Sequence, residues 1–175
     1  MEKFDELIRD QFEYGGKKYA LNNVRESTDE LFDKHGKNWL FGTMDKYTYR
    51  FQTLGRERDI LKIATYAYIV WLKRGYFVKN SGLIDVLDTT VKVKSQYFNE
   101  FLRRYNNNST KLCGIDVKDN FLRRISLILH NWSTGKWEAI SEFGIFLIFH
   151  LCFLIWLEKF SKKEEHDTDT FNKVS

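Results

Sequence analysis

Between Phe143 and Leu157, His150 is the only strongly polar side chain. A helix of that composition has almost no side that water tolerates, so it must be covered all round. Three coverings are open: the chain's own helical bundle, a second copy in a homo-oligomer, or lipid. The wider segment Ala139 to Leu157 spans 19 residues, close to the roughly 20 that a bilayer requires. Trp137 and Trp156 suit membrane interfaces, and Lys159, Lys162 and Lys163 suit an anchored end. Glu142 and His150 weigh against lipid, because ionisable groups inside it are costly. The strictly apolar run is only 15 residues, a length that favours burial in protein. The sequence therefore leans towards a buried or oligomer-interface helix, with membrane association through 139–157 as the competing outcome. The residues after it, Glu164 to Ser175, are acidic and polar and read as a disordered tail.

The chain contains no proline, which fits long helices and few rigid turns. The stretch His35 to Phe77 reads as a turn, a helix, a second turn and a longer helix. Gly36 and Gly42 bracket Asn38 and Trp39, and Thr43 is placed to cap a helix with Asp45 in its first turn. Met44, Tyr47, Phe51 and Leu54 then share one face. Gly55 is placed as a left-handed stop. The next helix carries Ile60, Ile63, Ala64, Ala67, Tyr68 and Trp71 at core-facing spacing and stops near Gly75. Asp59, Lys62 and Tyr66 share a different face of it. A helical hairpin with polar groups turned inward from both arms is expected.

On either side of this hairpin the pattern stays helical. Phe4, Leu7, Ile8 and Phe12 form an amphipathic first helix ending at Gly15-Gly16. Asn23 with Glu26 resembles a capping box, starting a second helix at Val24 that Gly36 ends. Residues 83–105 read as a helix, with Phe98, Leu102 and Tyr105 in its apolar stripe, although Val91-Lys92-Val93-Lys94 also permits a short strand. Asn106 to Thr110 reads as a solvated loop and Val117 to Trp132 as another helix. The fold class is all-α: a helical bundle with a hydrophobic C-terminal helix and a disordered acidic tail. The clearest internal boundary is Lys79 to Gly82. It gives a bundle over 1–80, a helical region over 83–163 and the tail over 164–175.

Composition excludes more than it assigns. A net charge of +4 is too small to mark a nucleic-acid binder. Residues 86–136 do hold nine basic against four acidic residues. Arg103, Arg104, Arg123 and Arg124 are most simply the polar faces of two helices, so nucleic acid is not the expected partner. Cys113 and Cys152 have no metal-ligand spacing and demand no disulfide. No targeting signal opens the chain, so the expected location is cytoplasmic, with membrane association depending on 139–157. His35, His130, His150 and His166 form no triad with a nucleophile, and no glycine-rich phosphate loop is present.

What remains is a set of carboxylates and cations. Glu26, Asp29 and Glu30 sit about one turn apart, Asp59 opens the long helix of the hairpin, and Asp45 lies between. Carboxylates converging from facing helices suit Mg²⁺, which prefers oxygen ligands and bridges to phosphates. Lys46, Arg50 and Arg56 suit phosphate oxygens. Trp39, Tyr47, Tyr49 and Tyr66 suit base stacking. The plainer alternative is that these acids are simply solvated helix surface.

The residues Gly16-Lys17-Lys18-Tyr19, Asn38-Trp39-x-x-Gly42, Asp45-Lys46-x-x-x-Arg50 and Asp59 leading into Ile63-Ala64-x-Tyr66-Ala67 resemble a known family. Over residues 12–75 the chain looks like the all-α, MazG-like nucleotide pyrophosphohydrolases. It looks nearer still to the phage-type dATP/dGTP diphosphohydrolase N-terminal domains and the nucleotide-modification-associated domains. The family's metal site pairs a Glu-x-x-Glu with a later Glu-x-x-Asp. The resemblance places Glu26-x-x-Asp29 in the first position and Asp59-x-x-Lys62 in the second. Protonated lysine repels a cation, so the implied Mg²⁺ site is partly degenerate. The resemblance implies a nucleotide-binding protein, with pyrophosphate release from a nucleoside triphosphate if it is active. Glu26, Asp29 and Asp59 would be its catalytic and metal residues. Lys18, Asn38, Trp39, Lys46, Arg50, Lys62 and Tyr66 would contact substrate. The competing reading is a non-enzymatic interaction protein, membrane-associated or oligomerising through the C-terminal helix.

Overall fold

Three glycines at positive φ divide the first half of the chain: Gly36 at 68°, Gly55 at 59° and Gly75 at 69°. Gly36 combines its φ with a ψ of −161°, a region open essentially to glycine alone. The computed structural model describes residues 1–20, 28–76, 91–114 and 120–161. In these the helices are α1 (Glu2–Ala20), α2 (Thr28–His35), α3 (Lys37–Leu54), α4 (Glu57–Lys73), α5 (Val91–Asn107), α6 (Ser109–Cys113), α7 (Phe121–Thr134) and α8 (Glu142–Lys159). A 3₁₀ turn, Trp137–Ala139, precedes α8, and no strand occurs among the described residues. The protein is all-α.

Several boundaries differ from the sequence reading. Helix α1 runs through Gly15-Gly16 to Ala20; paired glycines weaken a helix but do not by themselves end it. Helix α3 starts at Lys37, directly after Gly36, so Thr43 is interior and Gly42 is a helical residue. Capping at Thr43 is therefore overturned, because the glycine at positive φ sets the start instead. Val91 to Lys94 is helical rather than extended, and the Asn106–Thr110 loop shrinks to one residue, Asn108, between α5 and α6. Gly55 is the left-handed cap of α3, as expected, its N–H donating to Phe51 O. The expected helix start at Val24, the boundary 79–82 and the tail 164–175 lie outside the described residues.

One apolar core takes residues from both sides of that boundary. Helix α8 packs most extensively on α4, and α4 also packs on α3 and α1. Phe4 of α1 meets Phe149 and Phe153 of α8 with ring centroids 5.5 Å apart. Tyr68 of α4 contacts Phe12 at 5.2 Å, Phe98 at 5.0 Å and Phe101 at 5.2 Å. Such rings combine large apolar burial with preferred edge-on geometry.

The α4–α8 pair is antiparallel and clasped at both ends. Trp71 Nε1 donates to Glu142 Oε1 at 2.8 Å, and Trp156 Nε1 donates to Glu57 Oε1 at 2.7 Å. Each glutamate begins its own helix, where the helix dipole favours negative charge. Each indole N–H thereby gains the acceptor that a buried tryptophan needs.

Of the three coverings open to the apolar helix, the chain supplies its own. Ile145, Phe146, Ile148, Phe149, Leu151, Cys152, Ile155 and Trp156 are all buried. Among the described residues no helix is long and apolar enough to cross a membrane. The main cover comes from α4, in the other half of the sequence.

Candidate functional site

Helix α3 presents two polar faces, and the residues singled out from the sequence divide between them. On the face shared with α4, Tyr47 and Tyr66 stack with centroids 6.1 Å apart and planes at 28°. Trp39 meets the edge of Tyr66 at 6.0 Å. Lys46 Nζ lies 4.9 Å from the Tyr47 ring centre and Arg50 Cζ lies 5.6 Å from it. Helical spacing explains the assembly. Positions 39, 46, 47 and 50 recur on one side of α3, and 59, 62 and 66 on the adjoining side of α4. All three rings are only half-buried, so they form a surface shelf rather than core.

Asp59 sits at the end of this shelf and is 1% exposed. Its Oδ1 lies 3.5 Å from an Arg50 guanidinium nitrogen. Its Oδ2 has no hydrogen-bond partner among the described residues. A charge taken out of water is tolerated only when paired, and the partially positive start of α4 adds to what Arg50 supplies. Lys62, half-buried, stands one turn further along α4.

The remaining candidates fall elsewhere. Glu26 lies outside the described residues. Lys18 in α1 and Asp29 in α2 are described by their backbone only. Asn38 and Asp45 face the opposite way from Trp39 and Arg50. They line a cleft of about 340 Å³ between α3 and α7, with Phe41, Gly42, Ser126, Leu129, His130 and Ser133. The sequence reading missed the α7 wall of this cleft. Its signal was present in Ser126, His130 and Ser133, small or polar residues at helical spacing on one face of α7, flanked by the apolar Leu129.

No group of three His, Cys, Asp or Glu side chains converges among the described residues. Asp59, the one nominated ligand whose side chain is described, already faces a guanidinium. Glu26 and the Asp29 side chain lie outside what is described, so only this one corner of the expected Mg²⁺ site is in view.

Two further polar sites lie away from both faces of α3, one in the core and one at its edge. Tyr105 Oη and His150 Nδ1 are 2.6 Å apart. Burial pushes the tyrosine ionisation up and the histidine ionisation down, so a neutral phenol meets a neutral imidazole. Asp5 of α1 is raised to about 6, burial outweighing its attraction to the N-terminal amine and Arg9. Its Oδ1 has no partner among the described residues.

Compared with protein-family models, curated proteins and solved structures, the chain matches none of them significantly.

Proposed function

We propose that this chain binds a nucleotide on the α3–α4 face. A base stacks against the Trp39, Tyr47 and Tyr66 shelf, and phosphates meet Lys46, Arg50 and Lys62. The observation that carries the reading is the stacked Tyr47–Tyr66 pair with Lys46 and Arg50 on Tyr47. It sets aromatic surface and cationic donors side by side, as a base joined to its phosphates requires. Five of the residues nominated from the sequence as substrate contacts contribute to this face, while Asn38 does not. Asp59 acts here as the anchor that sets Arg50.

Pyrophosphate release from a (deoxy)nucleoside triphosphate remains part of the proposal as the activity that the family resemblance implies. It would require Mg²⁺ held by Glu26, Asp29 and Asp59, and Asp59 would have to exchange Arg50 for the ion. Binding without hydrolysis is the simpler outcome. The competing interaction-module reading needs α8 to be presented to a partner, and nine of its 18 residues are buried in the chain's own core.

Calorimetric titration with the four deoxynucleoside triphosphates, in EDTA and in Mg²⁺, tests this. Binding is expected in both conditions, with Tyr66→Ala or Arg50→Lys weakening it about tenfold, the loss of one stacking or bidentate contact. Absence of binding by all four nucleotides, or binding indifferent to both substitutions, would remove the proposal. Release of pyrophosphate only with Mg²⁺, abolished by Asp59→Asn, would add the catalytic step.

A further inference from the structure

The cleft between α3 and α7 has no place in that reading, since it lies on the other side of α3. Its floor is apolar, formed by the buried Phe41 and Leu129. Its walls are Asn38 and Asp45 from α3, with Ser126, His130 and Ser133 from α7. At about 340 Å³ it falls within the range of small-molecule sites, which combine an apolar base with a few convergent polar groups. The two walls are held in register at one end. Lys37 Nζ donates to Trp132 O at 3.3 Å and also to Gly135 O, closing the last turn of α7 against the start of α3.

Gly42 lines the α3 side of this space. It sits in mid-helix, where glycine is less favourable than alanine, and it has neither positive φ nor a close neighbour to require it. A Cβ built there meets nothing within 4 Å, so a larger side chain at this position has open space to fill.

Ser133 Oγ donates to the His130 carbonyl at 2.8 Å, and the other polar side chains around this space are not spent on each other among the described residues. Asp45 makes no ion pair, and neither its carboxylate nor the His130 ring makes a hydrogen bond, among the described residues. Asp45 is the one carboxylate in the lining, and the lining contains no lysine or arginine. Lys46, its neighbour in sequence, is turned to the Tyr47 ring on the other face. The cleft is therefore an acidic recess with an apolar floor and hydroxyl, amide and imidazole groups on its rim.

We propose that the α3–α7 cleft binds a small organic ammonium, with the cation at Asp45 and its apolar body over Phe41 and Leu129. Asn38, Ser126 and His130 supply hydrogen bonds to polar substituents. The site is separate from the nucleotide face, and either can exist without the other.

Benzylamine, benzyl alcohol and benzoate share one apolar body and differ in charge, so they are the probes. Each is titrated into the full ¹⁵N-labelled chain and followed by amide shifts. Benzylamine is expected to move the amides of Gly42, Asp45 and His130, and to bind at least about tenfold more tightly than the other two. Asp45→Asn should remove that preference. Gly42→Leu fills the cleft on a helix that tolerates it, so it should abolish binding while the melting temperature is kept or raised. Equal binding of the neutral or anionic probe would overturn the proposal. So would benzylamine binding unchanged in a folded Gly42→Leu variant, or shifts confined to residues outside the cleft.

Discussion

Trp71 Nε1 donates to Glu142 Oε1 across 2.8 Å, joining the end of α4 to the start of α8. The reciprocal bond joins Trp156 to Glu57 at 2.7 Å. Glu57 and Trp71 are 14 positions apart, as are Glu142 and Trp156. An antiparallel pair with equal spacing on both helices meets itself at both ends, so the two bonds fix one register. Sliding either helix by a turn would break both and leave two indoles seeking acceptors.

Double-mutant cycles should therefore detect both clasps. Trp156→Phe and Glu57→Ala are expected to couple by about 0.5–1.5 kcal/mol in urea unfolding, the net worth of one hydrogen bond with some charge assistance. Trp71 with Glu142 should couple similarly, although Glu142 also pairs with Arg104 at 3.1 Å. Strictly additive effects at both pairs would show that the register is set by apolar packing alone.

Asp59 and Arg50 form a second pair with an asymmetric expectation. Arg50→Ala leaves a carboxylate that is 1% exposed without its cation. The loss should be on the order of 2–3 kcal/mol, less than for a fully buried pair because Arg50 is partly exposed. Combining Arg50→Ala with Asp59→Asn should recover much of that loss, since no buried charge then remains. If the double variant is as unstable as Arg50→Ala alone, Arg50 stabilises the fold through Tyr47 rather than through Asp59.

The Tyr105–His150 pair sets a sign for acid stability. Burial lowers the histidine ionisation in the fold, so the unfolded chain binds the proton more readily. The stabilisation is complete above the ordinary value near 6.5 and is lost as pH falls through the lower folded value. Tyr105→Phe removes the partner of a buried ring nitrogen and should cost about 1–3 kcal/mol at neutral pH. A ¹³C-detected histidine titration that places His150 above its ordinary value would reverse the sign.

Asp5 works in the opposite direction. Its carboxyl is raised from 3.8 to about 6 by burial, so the fold prefers it protonated. This contribution is fully present below about pH 4 and is lost as pH rises towards 6. Asp5→Asn should flatten stability across that window while the His150 dependence persists. Unfolding curves for the two chains that remain parallel from pH 4 to 6 would show that Asp5 ionises normally.

Local sequence determined the helices because their signals are local. Apolar residues at helical spacing placed Phe4, Ile8, Phe12, Phe98, Leu102 and Tyr105 in the core, where they are found. Gly36, Gly55 and Gly75 marked stops because a left-handed φ is a property of single residues. Helix starts were harder to place: the cap expected at Thr43 lies inside α3, which runs from Lys37. The composition of Phe143–Leu157 required burial, but it could not choose the cover. That choice fell to α4, about 80 positions earlier, through an antiparallel register that no local pattern encodes.

The same limit divides the candidate sites. Sequence spacing put Arg50 on one helix face and Asp59 on another; tertiary packing brought them to 3.5 Å and took the carboxylate out of water. Asn38 and Trp39 are neighbours in the chain, yet they face different partners, because successive helical residues are about 100° apart. Only the positions of α4 and α7 on either side of α3 decided that one joins an aromatic shelf and the other a cleft.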